Sequence, residues 1–184
     1  MEKFVTSTQE LIERNTKFAE TFQDAELPII PKLRSVILTC TDARVDPARL
    51  FDLELGDSVV IRNNGGRLTS SVLDEVIALS LLVSTMEGGE PGPFNLVLVQ
   101  HTKCGAERFA DPSMQKMILD RAGVDVSESA IHDHHESLGS DVERLRDDPR
   151  VPDHVVVSAL LYDVDTGRAE QVFAPKAVSE MRAS

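Results

Sequence analysis

Short apolar runs recur along the chain, each closed by a polar residue and each followed by a stretch of different rhythm. Val36, Ile37 and Leu38 lead straight into Cys40. Val59, Val60 and Ile61 lead into Arg62 and the turn-rich Asn63-Asn64-Gly65-Gly66, and Leu96, Val97, Leu98 and Val99 lead into Gln100 and His101. Runs this short, rich in β-branched residues, read as buried strands rather than helices. A fourth strand is expected over 154–162 and a last one over 169–173, paired antiparallel with it across the turn at Asp165-Thr166-Gly167.

Between the strands the rhythm is helical. Residues 7–24 place Leu11, Ile12, Phe18 and Phe22 near one face of a wheel, an amphipathic arm cut off by Pro28 and Pro31. Asp46-Pro47 starts a short helix through Phe51. Ser70 or Ser71 can cap the next helix. There Val72, Leu73, Val76, Ile77, Leu79, Leu81 and Leu82 are dense enough to predict a largely buried helix, in the core or a dimer interface, until Gly88, Gly89, Pro91, Gly92 and Pro93 close it. Residues 105–121 are helical with a break at Asp111-Pro112, 123–135 read as a polar loop, and 136–146 form a further helix. This alternation defines an α/β fold: a central, mainly parallel sheet of four strands plus an antiparallel edge strand, flanked by helices, with an N-terminal helical arm. Ligand sites on such sheets lie beyond the carboxyl ends of the strands, where Cys40 and His101 fall.

Composition narrows the partners. A chain of 184 residues suits one domain. With 19 Lys and Arg against 31 Asp and Glu, a net charge of -12 has the wrong sign for nucleic acid or an anionic membrane, and neither is an expected partner. No apolar run approaches the roughly 18 residues of a membrane span, and the start lacks the pattern of a signal peptide, so a cytoplasmic location is expected. Counting alone leaves a disulfide between Cys40 and Cys104 open, but that location favours free or metal-bound thiols.

If the first and third strands are neighbours, Cys40, with Asp42 and Arg44 behind it, meets His101 and Cys104 at one sheet edge. Two thiolates and an imidazole suit zinc and leave a fourth tetrahedral position. Water, Asp42 or a histidine of the cluster His132, His134 and His135 could fill it. Zinc brings the pKa of bound water near 7, giving hydroxide to attack a small electrophilic carbon. Two thiolates weaken that acidification, so a hydrogen-bonding group beside the metal becomes useful. In Cys-Thr-Asp-Ala-Arg an extended turn can point Asp42 and Arg44 the same way, with Arg44 holding the carboxylate bidentately.

Cys-x-Asp-x-Arg at 40–44 followed by His-x-x-Cys-Gly at 101–105 resembles the β-carbonic anhydrases. The stretch 56–66 is similar to that family's second strand and Arg-Asn-x-Gly loop, and 161–167 to its late hairpin. The resemblance runs from about residue 33 to 173, with residues 1–30 as the arm of a single domain. It implies reversible hydration of carbon dioxide to bicarbonate by zinc-bound hydroxide, one Zn2+ per chain on Cys40, His101 and Cys104, and a catalytic Asp42 and Arg44 dyad. Asp42 is a fourth ligand in a closed state of some members. It also implies a homodimer or dimer of dimers embraced by the arm. Pro31-Lys-Leu-Arg-Ser stands where the family often carries a pocket glutamine, no tryptophan is present for the family's bicarbonate effector site, and Gln100 and Thr102 flank His101 in place of Gly and Ser. These departures resemble the short branch that includes carbonyl sulfide hydrolases. Hydrolysis of carbonyl sulfide or carbon disulfide is therefore the alternative activity, and a zinc-bound non-catalytic protein the third.

Other readings are plainer. A phosphatase-like cysteine would need an arginine where Asp46 stands. Arg62 and Asn63 divide evenly between scaffolding and substrate contact. The histidine cluster reads as a solvated loop, with a proton-shuttling role as the sharper alternative, and His154 as structural.

Overall fold

The computed structural model describes residues 7–89 and 92–183; Pro91 of the helix-closing run and the first six residues of the arm lie outside them. Five strands form one sheet in the order β2-β1-β3-β4-β5: β1 Ser35–Cys40, β2 Val59–Asn63, β3 Phe94–His101, β4 Val155–Tyr162 and β5 Ala169–Ala177. The first four run parallel and β5 pairs antiparallel with β4, as the alternation of strands and helices predicts. The order decides where a site can form. From β1 the chain crosses to β2 on one side, and from β3 it crosses to β4 on the other, so the crossovers diverge between the carboxyl ends of β1 and β3. Thr39 lies opposite Val99, so the two strands finish level and Cys40 and His101 share that crevice.

Every residue of β1 is buried, which explains its unbroken apolar run. The main core joins Val36, Leu38, Leu96, Leu98 and Val157 to Leu73 and Val76 of α3 (Ser70–Met86) and to Leu138, Val142 and Leu145 of α5 (His134–Asp147). Leu38, Leu96 and Leu98 are fully enclosed, and truncating any one to alanine should cost about 2–5 kcal/mol. A buried ion pair ties α5 to the loop after β2. Arg67 Nε and Nη2 each donate to Asp141 at 2.9 Å, and Asp141 also accepts the Leu68 N–H. The Arg67 guanidinium donates as well to the Ala130 carbonyl, so each charge at this junction is answered.

The helices depart from expectation in four places. Thr69, not Ser70 or Ser71, caps α3, its hydroxyl accepting the Val72 N–H. The helix is buried on one face only: Leu81 and Leu82 are half exposed, because nothing among the described residues packs over that side. The stretch 123–135 is less polar in role than in composition, since Val126, Ala130 and Ile131 are buried. Past Phe173, β5 continues to Ala177 and passes into a short helix, α6 (Val178–Arg182), whose Val178 and Met181 close the core. The remaining helices are α1 (Ser7–Ala19), α2 (Pro47–Leu50), capped by Asp46, and α4 (Pro112–Ala122), capped by Asp111. No helix among the described residues is long and apolar enough to cross a membrane.

Candidate metal centre

At the crevice, Cys40 ends β1, His101 ends β3, and Cys104 opens the turn of 3-10 helix Gly105–Ala110. Their ligand atoms lie within 4.8 Å of one another and all three residues are buried. The two sulfurs are 3.7 Å apart. A tetrahedral ion with metal–sulfur bonds of about 2.3 Å would hold two thiolates about 3.8 Å apart, so the pair is spaced for one. The imidazole fits too. His101 Nδ1 lies 2.9 Å from the Thr102 carbonyl, which can only accept, so Nδ1 carries the proton and Nε2 a lone pair. That Nε2 is buried with no hydrogen-bond partner, an arrangement that costs free energy unless a cation answers it. Among the described residues this is the group spaced for a metal, and none of His132, His134 and His135 joins it.

The surroundings favour negative sulfur. Cys40 Sγ accepts from the backbone N–H of Asp42 at 3.4 Å and from that of Gly65. The hydrogen bond to Cys104 lowers the Cys40 pKa and raises that of Cys104, so the two thiols share one negative charge. Burial opposes a charged His101, yet the nearby Cys40 sulfur, the Thr102 carbonyl on Nδ1 and the Asp42 carboxylate outweigh it and raise the pKa.

Beside the triad, Asp42 and Arg44 meet as the spacing predicts. Oδ1 accepts from the Arg44 backbone N–H at 2.9 Å and from Nε at 3.0 Å, while Oδ2 accepts from Nη2 at 2.7 Å. These bonds hold the Asp42 carboxyl well below the usual carboxylate range. Oδ2 is 4.0 Å from His101 Nε2, on the triad's side. Arg44 is fixed in turn by the Lys103 carbonyl at 3.0 Å.

Arg62 and Asn63 both bind backbone beside the site. Arg62 donates to the carbonyls of Cys40 and Asp42, at 3.0 and 2.7 Å, and Asn63 brackets the backbone of Arg67. Gly66 sits at φ +61, where a Cβ would come within 2.9 Å of Thr39 backbone, so only glycine lets this loop press against β1. A cavity of about 280 Å³ opens onto Cys40 and Asp42, bounded by Asn64, Gly65, Ala106 and Phe109. Ile131, from the stretch read as polar loop, packs with Cys40 and Cys104.

Three further residues meet behind the triad, and sequence reasoning missed Glu107 and the way His134 and Gln100 join it. Glu107 accepts the Cys104 backbone N–H at 2.9 Å, and His134 lies between Glu107 and Gln100. His134 is therefore not part of a solvated loop; it opens α5 and turns inward, while His132 and His135 are exposed. The sequence offers His134 as one of a histidine cluster and Gln100 as the neighbour of His101, with nothing to join them.

The profile of the carbonic anhydrase family matches residues 35–169, and the chain belongs to the β-carbonic anhydrase family. It is 28% identical over 170 residues to β-carbonic anhydrase 1 of Mycobacterium tuberculosis, covering 91% of this chain and 99% of that one. It is also 27% identical over 185 residues to the carbon disulfide hydrolase of Saccharolobus solfataricus, covering 85% and 86%. The crystal structure of carbonic anhydrase from Streptococcus mutans superposes with a TM-score of 0.75 at 30% identity, covering 92% of this chain and 99% of that one.

Proposed function

We propose that this chain is a zinc enzyme that reversibly hydrates carbon dioxide to bicarbonate and a proton, with Cys40, His101 and Cys104 as the zinc ligands and Asp42 and Arg44 as the catalytic dyad. The observation that carries the reading is the buried, unpartnered His101 Nε2 facing two thiols 3.7 Å apart, with an ionised carboxylate alongside. When bound, zinc supplies Lewis acidity that lowers the pKa of a coordinated water toward about 7.

The protein's own groups then divide the work. Asp42, kept anionic by Arg44, is an acceptor with no proton to give. It can take the O–H of the attacking nucleophile and leave that oxygen's lone pair directed at carbon. Because its pKa is depressed, Asp42 stays ionised throughout pH 7–9, so a rate that changes over that range does not report Asp42. With both oxygens engaged by Arg44, the arrangement supports an open site rather than one in which Asp42 is a fourth ligand. Gly65, Ala106 and Phe109 offer an apolar wall suited to a linear, uncharged substrate.

Carbon disulfide or carbonyl sulfide hydrolysis is the second reading, favoured by the likeness to carbon disulfide hydrolases over most of the chain. A homodimer or dimer of dimers is part of the proposal. The exposed Leu11, Ile12 and Phe18 of α1, Phe22 just beyond that helix in the arm, and Leu81 and Leu82 of α3 need a second copy to leave water. A reducing, cytoplasmic setting suits thiols that must remain free to bind metal. Stopped-flow hydration by the zinc-loaded protein across about pH 7–9, a range bracketing ionisation of the water, tests the activity, with Cys104→Ser as blank. Rates well above the blank are expected. Rates equal to it, with zinc bound, would reject hydration, and carbon disulfide turnover in the same protein would install the second reading.

A further inference from the structure

Behind the triad lies a run of polar side chains that neither the fold nor the proposed chemistry uses. Gln100, directly before His101 in β3, is fully buried, and its Nε2 has no partner. Its Oε1 is 2.9 Å from His134 Nδ1, and the ring's other nitrogen, Nε2, is 3.2 Å from Glu107 Oε1. That same oxygen accepts the backbone N–H of Cys104 at 2.9 Å. One side chain from α5, only 15% exposed, thus grips the neighbour of one triad residue and the carboxylate that holds the backbone of another.

The grip does not depend on how the Gln100 amide is turned. A carboxylate can only accept, so His134 Nε2–H donates to Glu107 in either case, while Nδ1 donates to the amide oxygen or accepts from the amide nitrogen. The turn it holds also needs holding. Between His101 and Cys104, Lys103 adopts φ 56, a left-handed conformation that a residue with a side chain keeps only when its surroundings insist.

We propose that His134 is a positioning residue of the metal centre: it clips Gln100 and Glu107 together and so holds the turn from His101 to Cys104 at the spacing a metal requires. The inference rests on the reading of Cys40, His101 and Cys104 as ligands, and its test reads metal rather than turnover. In the zinc-loaded protein, His134→Ala should release zinc to a chelator roughly tenfold faster, the lower end of what groups behind metal ligands contribute. In the cobalt-substituted protein the same change should shift the thiolate-to-cobalt charge-transfer bands. His134→Gln, whose amide N–H can still reach Glu107, should restore most of the slow release. Because the clip works through Glu107, adding His134→Ala to Glu107→Ala should change the release rate little.

Unchanged release and unchanged cobalt bands in His134→Ala would overturn the proposal, as would fully additive effects of the two alanine changes. Should His134→Ala fail to fold, the rescue by His134→Gln measured against Glu107→Ala decides the matter in the same way. A wild-type protein that takes up neither zinc nor cobalt would defeat the ligand reading and this inference together. Metal uptake without carbon dioxide hydration would defeat the activity alone.

Discussion

The metal crevice and the N-terminal arm are opposite ways of using apolar and polar residues within one chain. At the crevice Cys40, His101 and Cys104 are buried and the neighbouring carbonyls, carboxylates and guanidinium groups bond one another. In the arm no residue of α1 is buried, and Leu11, Ile12 and Phe18 project into solvent. A helix of 13 residues is marginal in water by itself. On the proposed reading the crevice is completed by the chain's own residues except for one cation, whereas the arm waits for another surface. The half-exposed Leu81 and Leu82 of α3 have the same character. One chain can thus be finished at its candidate site and unfinished at an exposed apolar face, which the proposed assembly would cover.

That contrast can be broken at the crevice first. Asp42→Ala should keep zinc, since it removes no ligand, yet lower hydration on the order of 10- to 100-fold, the range for groups that orient what a metal binds. Stopped-flow rates beside zinc content check this, and full activity would remove Asp42 from the mechanism. Next is Gly66→Ala, which puts a side chain at φ +61 and against the backbone of Thr39 and Cys40. It should destabilise the fold by about 1–3 kcal/mol and loosen zinc as well, because the displaced segment carries Cys40. Urea unfolding together with metal retention reads both, and an unaltered midpoint would show the loop to be slack. Smallest in the protomer is Leu82→Asp, which should change its stability by less than about 0.5 kcal/mol while shifting the assembly toward monomer in sedimentation. A wild-type chain that sediments as a monomer would contradict the comparison at the arm.

How much of this was legible follows from how far each feature depends on neighbours in sequence. The strand ends were readable because an apolar run closing on Cys40 or His101 is local, and Asp42 with Arg44 because their meeting needs only an extended turn. That β1 and β3 are neighbours was only a condition of the reading, because alternation of strands and helices does not set the order of strands in the sheet. The inward turn of His134 was hidden, because it depends on α5 beginning at that residue and on where α5 sits against β3. Ile131 was hidden for a similar reason: one apolar residue in a polar stretch gives no period, and its place against Cys40 and Cys104 is set by long-range packing. The dense apolar pattern of α3 announced burial but could not say that Leu81 and Leu82 face away from their own core.

The most direct test of the central claim is zinc K-edge X-ray absorption on the protein as purified, compared with Cys104→Ser. The account predicts one zinc per chain with two sulfur neighbours at about 2.3 Å and a nitrogen at about 2.0–2.1 Å, falling to one sulfur, with most of the metal lost, in the variant. A zinc shell without sulfur, or one unaltered by Cys104→Ser, would contradict it.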